Sequence, residues 1–154
     1  MLRILSYLWP WKKRPLLTSA EAEAIEAAIR EAEKRTSGEI RVVVEKRAGK
    51  NPMKKAVAWF ERLGMHRTQQ RNGVLIYVGL KDRRFAIVGD EGIHRAVEEG
   101  FWNHTAEGMR TFFQQGRLVE GIIEGVRRAG EALARYFPYD PETDVNELPD
   151  TVIY

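Results

Sequence analysis

The chain has 154 residues, 44% of them hydrophobic and 31% charged, which suits one folded domain with its own core. It contains no cysteine. That excludes disulfides, thiolate zinc sites and a cysteine nucleophile, and it fits a reducing compartment. The net charge of +3 is too mild and too dispersed along the sequence to argue for nucleic acid.

That charge is uneven. Residues 1–16 hold Arg3, Lys12, Lys13 and Arg14 and no acid, whereas residues 138–154 hold five acids and no base. The sequence therefore divides into an apolar and basic arm (1–16), a folded α/β domain (17–137) and an extended acidic tail (138–154). No apolar run approaches the roughly 18 residues of a membrane span. The opening MLRILSYLWPWKKRP is apolar first and basic second, the reverse of a secretory signal. A cytoplasmic protein is the expectation. The preferred reading of the arm lays Leu2, Ile4, Leu5, Leu8 and Trp9 on the domain or on a protein neighbour. A second reading is membrane-surface contact through residues 1–14, with Trp9, Trp11 and the Lys12-Lys13-Arg14 cluster at the headgroups.

Thr18 and Glu21 have capping-box spacing, and Ala22, Ile25, Ile29 and Ala32 recur on one helical face; together they predict a helix over 19–35. Thr36-Ser37-Gly38 breaks it. The β-branched run in EIRVVVE predicts a covered strand over 39–45. Asn51 and Pro52 then open a second helix whose stripe is Met53, Ala56, Val57, Phe60 and Leu63, ending at Gly64. Val74–Leu80 and Phe85–Val88 are apolar runs separated by Lys81-Asp82-Arg83-Arg84, a hairpin pattern. Strand, helix, strand implies that the strands starting near Glu39 and Gly73 are parallel with a right-handed crossover. Beyond Gly92, a short helical turn over 93–99, a helix over 101–115 and a helix over 118–137 are expected. Gly121, Gly125 and Gly130 in the last one suggest close packing on the sheet. In the tail, Tyr139, Val145, Leu148 or Val152 would serve as anchors.

The predicted fold is a three-layer α/β/α sandwich, Rossmann-like, with a mixed sheet of three to four strands and a β-hairpin. Strand direction then sorts the polar residues onto two edges. Glu39, Asn72, Asp90, Glu91 and His66 gather at the amino end of the parallel strands. Glu45 and Asp82 gather at the other end, with Lys46, Lys81, Arg83 and Arg84 to neutralise them. Converging carboxylates with an Asn and close glycines suit a hard divalent cation. The same residues also suit caps and turns paired with Arg67, Arg71 or Arg95, and both readings stand. The histidines lack the spacing of a zinc triad. No GxSxG elbow, P-loop or dinucleotide fingerprint is present.

Three segments, SGEIRVVVE, RNGVLIYVGLKDRRFAIVGDEGIH and FFQQGRLVEGIIEGV, resemble the TPM domain family. A segment of MHxTxQxNGVLIYV form (Met65–Val78) and the FPYD…NELPD tail (Phe137–Asp150) resemble its short soluble bacterial members. The resemblance spans about residues 17–150. It implies a Rossmann-like α/β/α sandwich, binding of a divalent cation with Ca2+ ahead of Mg2+, and a disputed phosphatase activity carried by plant members. Metal binding carries over onto Asp90 and Glu91 through the GDEG match and onto Glu39 through SGEI. His66 and Asn72 are added by geometry. The expected role is an accessory or interaction module, with a metal ion and a protein as partners. The alternative is a metal-dependent phosphomonoesterase.

Overall fold

The computed structural model describes residues 16–142 and 150–154; residues 1–15 of the arm and the expected anchors Val145 and Leu148 lie outside the described residues. Helices α1 (Ser19–Glu33), α2 (Pro52–Arg62), α3 (Glu91–Ala96), α4 (Phe101–Gln114) and α5 (Leu118–Tyr136) surround strands β1 (Glu39–Glu45), β2 (Gly73–Gly79) and β3 (Arg84–Gly89). The sheet order is β1-β2-β3. β1 and β2 are parallel, with Glu39 opposite Gly73, and β3 returns antiparallel, with Gly89 opposite Val74.

Alternation along the strands supplies both faces of the sandwich. Ile40, Val42, Val44, Val74, Ile76 and Val78 pack with Ile25 and Ile29 of α1 and Ile122, Val126 and Leu133 of α5. Val43, Leu75, Tyr77 and Ala86 face the other way, onto Ala56 and Phe60 of α2 and onto Met65. The caps form as the sequence predicts: Thr18 and Glu21 close a reciprocal box, and Asn51 accepts from the Lys54 amide.

Two expectations are corrected, and a third, the Val152 anchor, is met. Met53 and Val57 are 47% and 39% exposed, not part of the buried stripe. Helix α2 packs on this face of the sheet along the Ala56–Phe60 line, and Met53 and Val57 lie off that line. The glycines of α5 serve helix contacts as much as the sheet: a Cβ at Gly121 would meet the Phe113 ring, and one at Gly130 would meet the Ala32 side chain at 2.7 Å. Finally, the end of the tail is built into the fold. Ile153 bridges Val43 in parallel, accepting from the Val44 amide at 2.8 Å and donating to the Val42 carbonyl at 3.1 Å. Val152 is buried, so the tail covers the open edge of β1. No helix among the described residues is long and apolar enough to cross a membrane.

Candidate functional site

The sheet has two rims of different character. At the amino-end rim, Asp90 follows β3 and caps α3, its Oδ1 accepting from the Glu91 amide at 2.7 Å. The Arg71 guanidinium grips the same carboxylate with both arms, Nε to Oδ2 at 2.8 Å and Nη2 to Oδ1 at 2.9 Å. Arg71 reaches it from a left-handed backbone, φ 51°, a conformation that costs a non-glycine residue about 1–2 kcal/mol. Its carbonyl in turn accepts from the Gly92 amide at 2.8 Å. Glu91 pairs with Arg95. Beside them Ser37 Oγ accepts from Asn72 Nδ2 at 3.3 Å and from Gln70 Nε2 at 3.2 Å.

Glu39 is on this rim as expected, but it belongs to a different group of charges. β2 separates it from Asp90, about 10 Å away at two strand spacings. Glu39 and Arg41 are both buried, and they share the outer edge of β1 with Glu33 and Asp150. Glu33 Oε2 accepts from the Ile40 amide at 2.8 Å. Burial, reinforced by the hydrogen bond to Asp150 and the nearby Glu39 charge, pushes the Glu33 carboxyl up to about 10. Burial likewise lowers the Arg41 pKa, opposed by those carboxylates. Glu33 and Arg41 were not among the predicted site residues. A carboxylate four residues after Ile29, on the apolar stripe of its helix, was the sequence signal. So was an Arg inside the covered strand EIRVVVE.

The predicted five therefore separate: Asp90 and Glu91 in one ion-paired turn, Asn72 buried beside Ser37, Glu39 in the β1-edge cluster, and His66 exposed on a single helical turn, Met65–Arg67. A calcium cage needs about 6–8 converging oxygens. Among the described residues no three His, Asp or Glu side chains are arranged to hold a metal ion, and the Asp90 oxygens are already taken. These residues do not fit a preformed cation site. A cleft of about 370 Å³ flanks this rim, lined in part by Glu98, His104, Arg128, Glu131 and Arg135, acids and bases in near balance.

At the carboxyl-end rim the acids turn inward. Glu45 accepts from the Tyr77 hydroxyl at 2.7 Å and from Trp59 Nε1 at 3.1 Å. Burial works against ionisation, but these bonds and nearby Lys55 and Arg62 hold its pKa below the usual value. Asp82 accepts from the Ala48 and Gly49 amides at 3.0 and 2.8 Å, which lowers its pKa. The expectation that Lys46, Lys81, Arg83 and Arg84 neutralise these acids is met only in part: neutral donors hold the carboxylates, the Arg84 charge lowers the Asp82 pKa, and no lysine or arginine of this rim is in an ion pair among the described residues.

Layer order, the parallel pair with its returning hairpin, and an ion-locked turn after β3 define a small three-layer α/β/α domain. The TPM domain family model matches residues 13–132. The chain belongs to the TPM domain family. It is similar to the BA42 protein of the psychrophilic bacterium Bizionia argentinensis, at 44% identity over 92% of this chain and 97% of that one, with a TM-score of 0.83. Two more distant structures share the fold. One is the N-terminal domain of a P. gingivalis protein (22% identity, 81% and 83% coverage, TM-score 0.64). The other is the N-terminal domain of the cg2496 protein of Corynebacterium glutamicum (12%, 90% and 81%, 0.60). No curated protein matches the chain.

Proposed function

We propose that the chain is an accessory domain that works by binding a partner, and that its amino-end rim is a structural knot. The observation carrying this reading is the commitment of Asp90: both carboxylate oxygens are held by Arg71, and one also caps α3. The rival reading, a metal-dependent phosphomonoesterase, rests on membership of the TPM domain family alone. That chemistry needs a carboxylate free to hold a metal or to take a proton from water.

The test is turnover of p-nitrophenyl phosphate with calcium and with magnesium, wild type beside Asp90→Asn, which retains the capping oxygen. Neither protein should exceed buffer. Turnover in wild type that Asp90→Asn removes would overturn the proposal. Calcium, with magnesium second, enters this reading as a competitor of Arg71 for Asp90 and Glu91. Arg71→Ala should then bind calcium more tightly than wild type by calorimetry. Equal isotherms would remove the cation from the rim.

A further inference from the structure

We propose that the carboxyl-end rim docks on an anionic lipid bilayer. This deepens the accessory reading by naming the partner.

The first observation is charge. Lys46 and Arg47 leave β1, and Lys50, Lys54 and Lys55 surround the start of α2; all five are exposed. Lys81, Arg83 and Arg84 form the β2–β3 turn and are exposed too. The two local acids are bound to Tyr77, Trp59 and the Ala48 and Gly49 amides. Both carboxylates stay charged, but the eight exposed bases outnumber them, so the rim keeps a net positive potential.

The second observation is apolar surface at the same place. Met53, on the first turn of α2, is 47% exposed, and Val57 one turn on is 39% exposed. A cleft of about 190 Å³ is lined by Leu80, Phe113 and Leu118 together with Arg83 and Arg84. A nucleic acid offers such a rim phosphates but nothing for its apolar part. A bilayer surface offers both anionic headgroups and acyl chains.

The third observation is where the chain enters. Glu33 bonds to Ile40, and Glu26 bonds to Val152, which precedes the Val43 partner Ile153. Helix α1 therefore runs back along β1, and its first turn, with buried Leu17 before it, lies toward the basic rim. The fifteen residues that precede Leu16 carry Leu2, Ile4, Leu5, Leu8, Trp9 and Trp11 with four bases and no acid. That is the composition of an interfacial segment.

The full chain is sedimented with vesicles of equal parts phosphatidylglycerol and phosphatidylcholine, and with phosphatidylcholine alone, at low and moderate salt. Wild type should bind the anionic vesicles only, and more weakly as salt rises. The joint substitution Lys50→Ser, Lys54→Ser, Lys81→Ser and Arg83→Ser should lower the partition coefficient at least tenfold, and Trp9→Ser with Trp11→Ser should also lower it. Lys34→Ser with Arg67→Ser, charges of the other end, should leave it unchanged. The proposal fails if wild type ignores anionic vesicles, if either rim or arm variant binds as wild type does, or if the opposite-end control loses as much. It also fails if duplex DNA or RNA displaces the protein from vesicles at equal phosphate. None of these failures bears on phosphate turnover, so the accessory reading stands or falls separately.

Discussion

The two rims hold the same kinds of residue and use them in opposite ways. At the amino end, charge is spent on charge: Arg71 on Asp90, Arg95 on Glu91, and Arg41 beside Glu39 and Asp150. At the carboxyl end the acids are satisfied by a phenol, an indole and two backbone amides, and the bases stay exposed outside any ion pair among the described residues, Arg84 donating to the Gly49 carbonyl. Pairing builds a rigid turn and erases its field. Satisfying carboxylates with neutral donors keeps the fold intact and leaves a field for something outside the molecule. Acid-rich sequence is therefore a poor guide to where a ligand goes; what matters is which donors answer each acid.

The sharpest way to break the amino-end knot is through its backbone. A Cβ at Gly92 would run into the Gln70 carbonyl oxygen and lie 2.7 Å from that of Arg71. Neither obstacle is a side chain that can swing away. Gly92→Ala should cost about 3 kcal/mol, at the upper end for overpacking, read as a lower urea midpoint at unchanged slope. Gly116 serves as its counterpart in the turn between α4 and α5. It has φ 73° and open space around its Cβ position, so Gly116→Ala should cost only the left-handed penalty of about 1 kcal/mol. Equal losses would mean that the rim is not tightly built.

Next in size is the pH response of the β1-edge cluster. Burial pushes the folded Glu33 carboxyl up from its ordinary value of 4.5 to about 10. A raised folded pKa means that the native state holds a proton the unfolded chain has lost. The contribution is complete below 4.5 and declines as pH climbs toward 10. Glu33→Gln keeps an acceptor for the Ile40 amide and a donor for Asp150, with Glu39 and Arg41 unchanged beside it. Its stability curve should be flatter than wild type over that window, by urea titration at a series of pH values. Parallel curves would show that Glu33 ionises normally and does not help to hold the tail.

What the sequence made legible follows from which forces are local. Element order, the caps at Thr18 and Asn51, strand direction and the sharing of one rim by Glu39, Asn72 and Asp90 all depend on periodicity and short-range bonding. Whether Asp90 meets a cation or Arg71 depends on the loop 65–71 folding into a helical turn and then a left-handed residue, which no periodic pattern announces. The opposite rim was half legible: Arg84 acts on Asp82 through its charge, but the hydrogen bonds come from Tyr77, Trp59 and the turn after β1, which sign and proximity do not announce. The tail strand was half legible. Val152 was a predicted anchor, but pairing with β1 is a contact across more than a hundred residues, beyond any local signal.

The smallest expected effect tests the carboxyl-end rim in the absence of any partner. Lys46, Lys50, Lys81 and Arg83 are exposed, so each single change to Ser should stay within about 0.5 kcal/mol of wild type. Their sign is the informative part. If these bases repel one another in the folded state, removing one stabilises the protein at low salt, because the unfolded chain holds them farther apart. Added salt screens the same repulsion, so wild type should gain stability from salt and the variants should gain less. At the amino end the trend reverses. There salt weakens the exposed Glu91–Arg95 pair, and Arg95→Ala should lose less stability at high salt than at low. Opposite salt slopes at the two ends, measured by urea unfolding at two ionic strengths, are what one self-neutralised and one uncompensated rim require. Slopes of the same sign would mean that the rim bases find carboxylates in solution, and the field proposed to meet a bilayer would not be there.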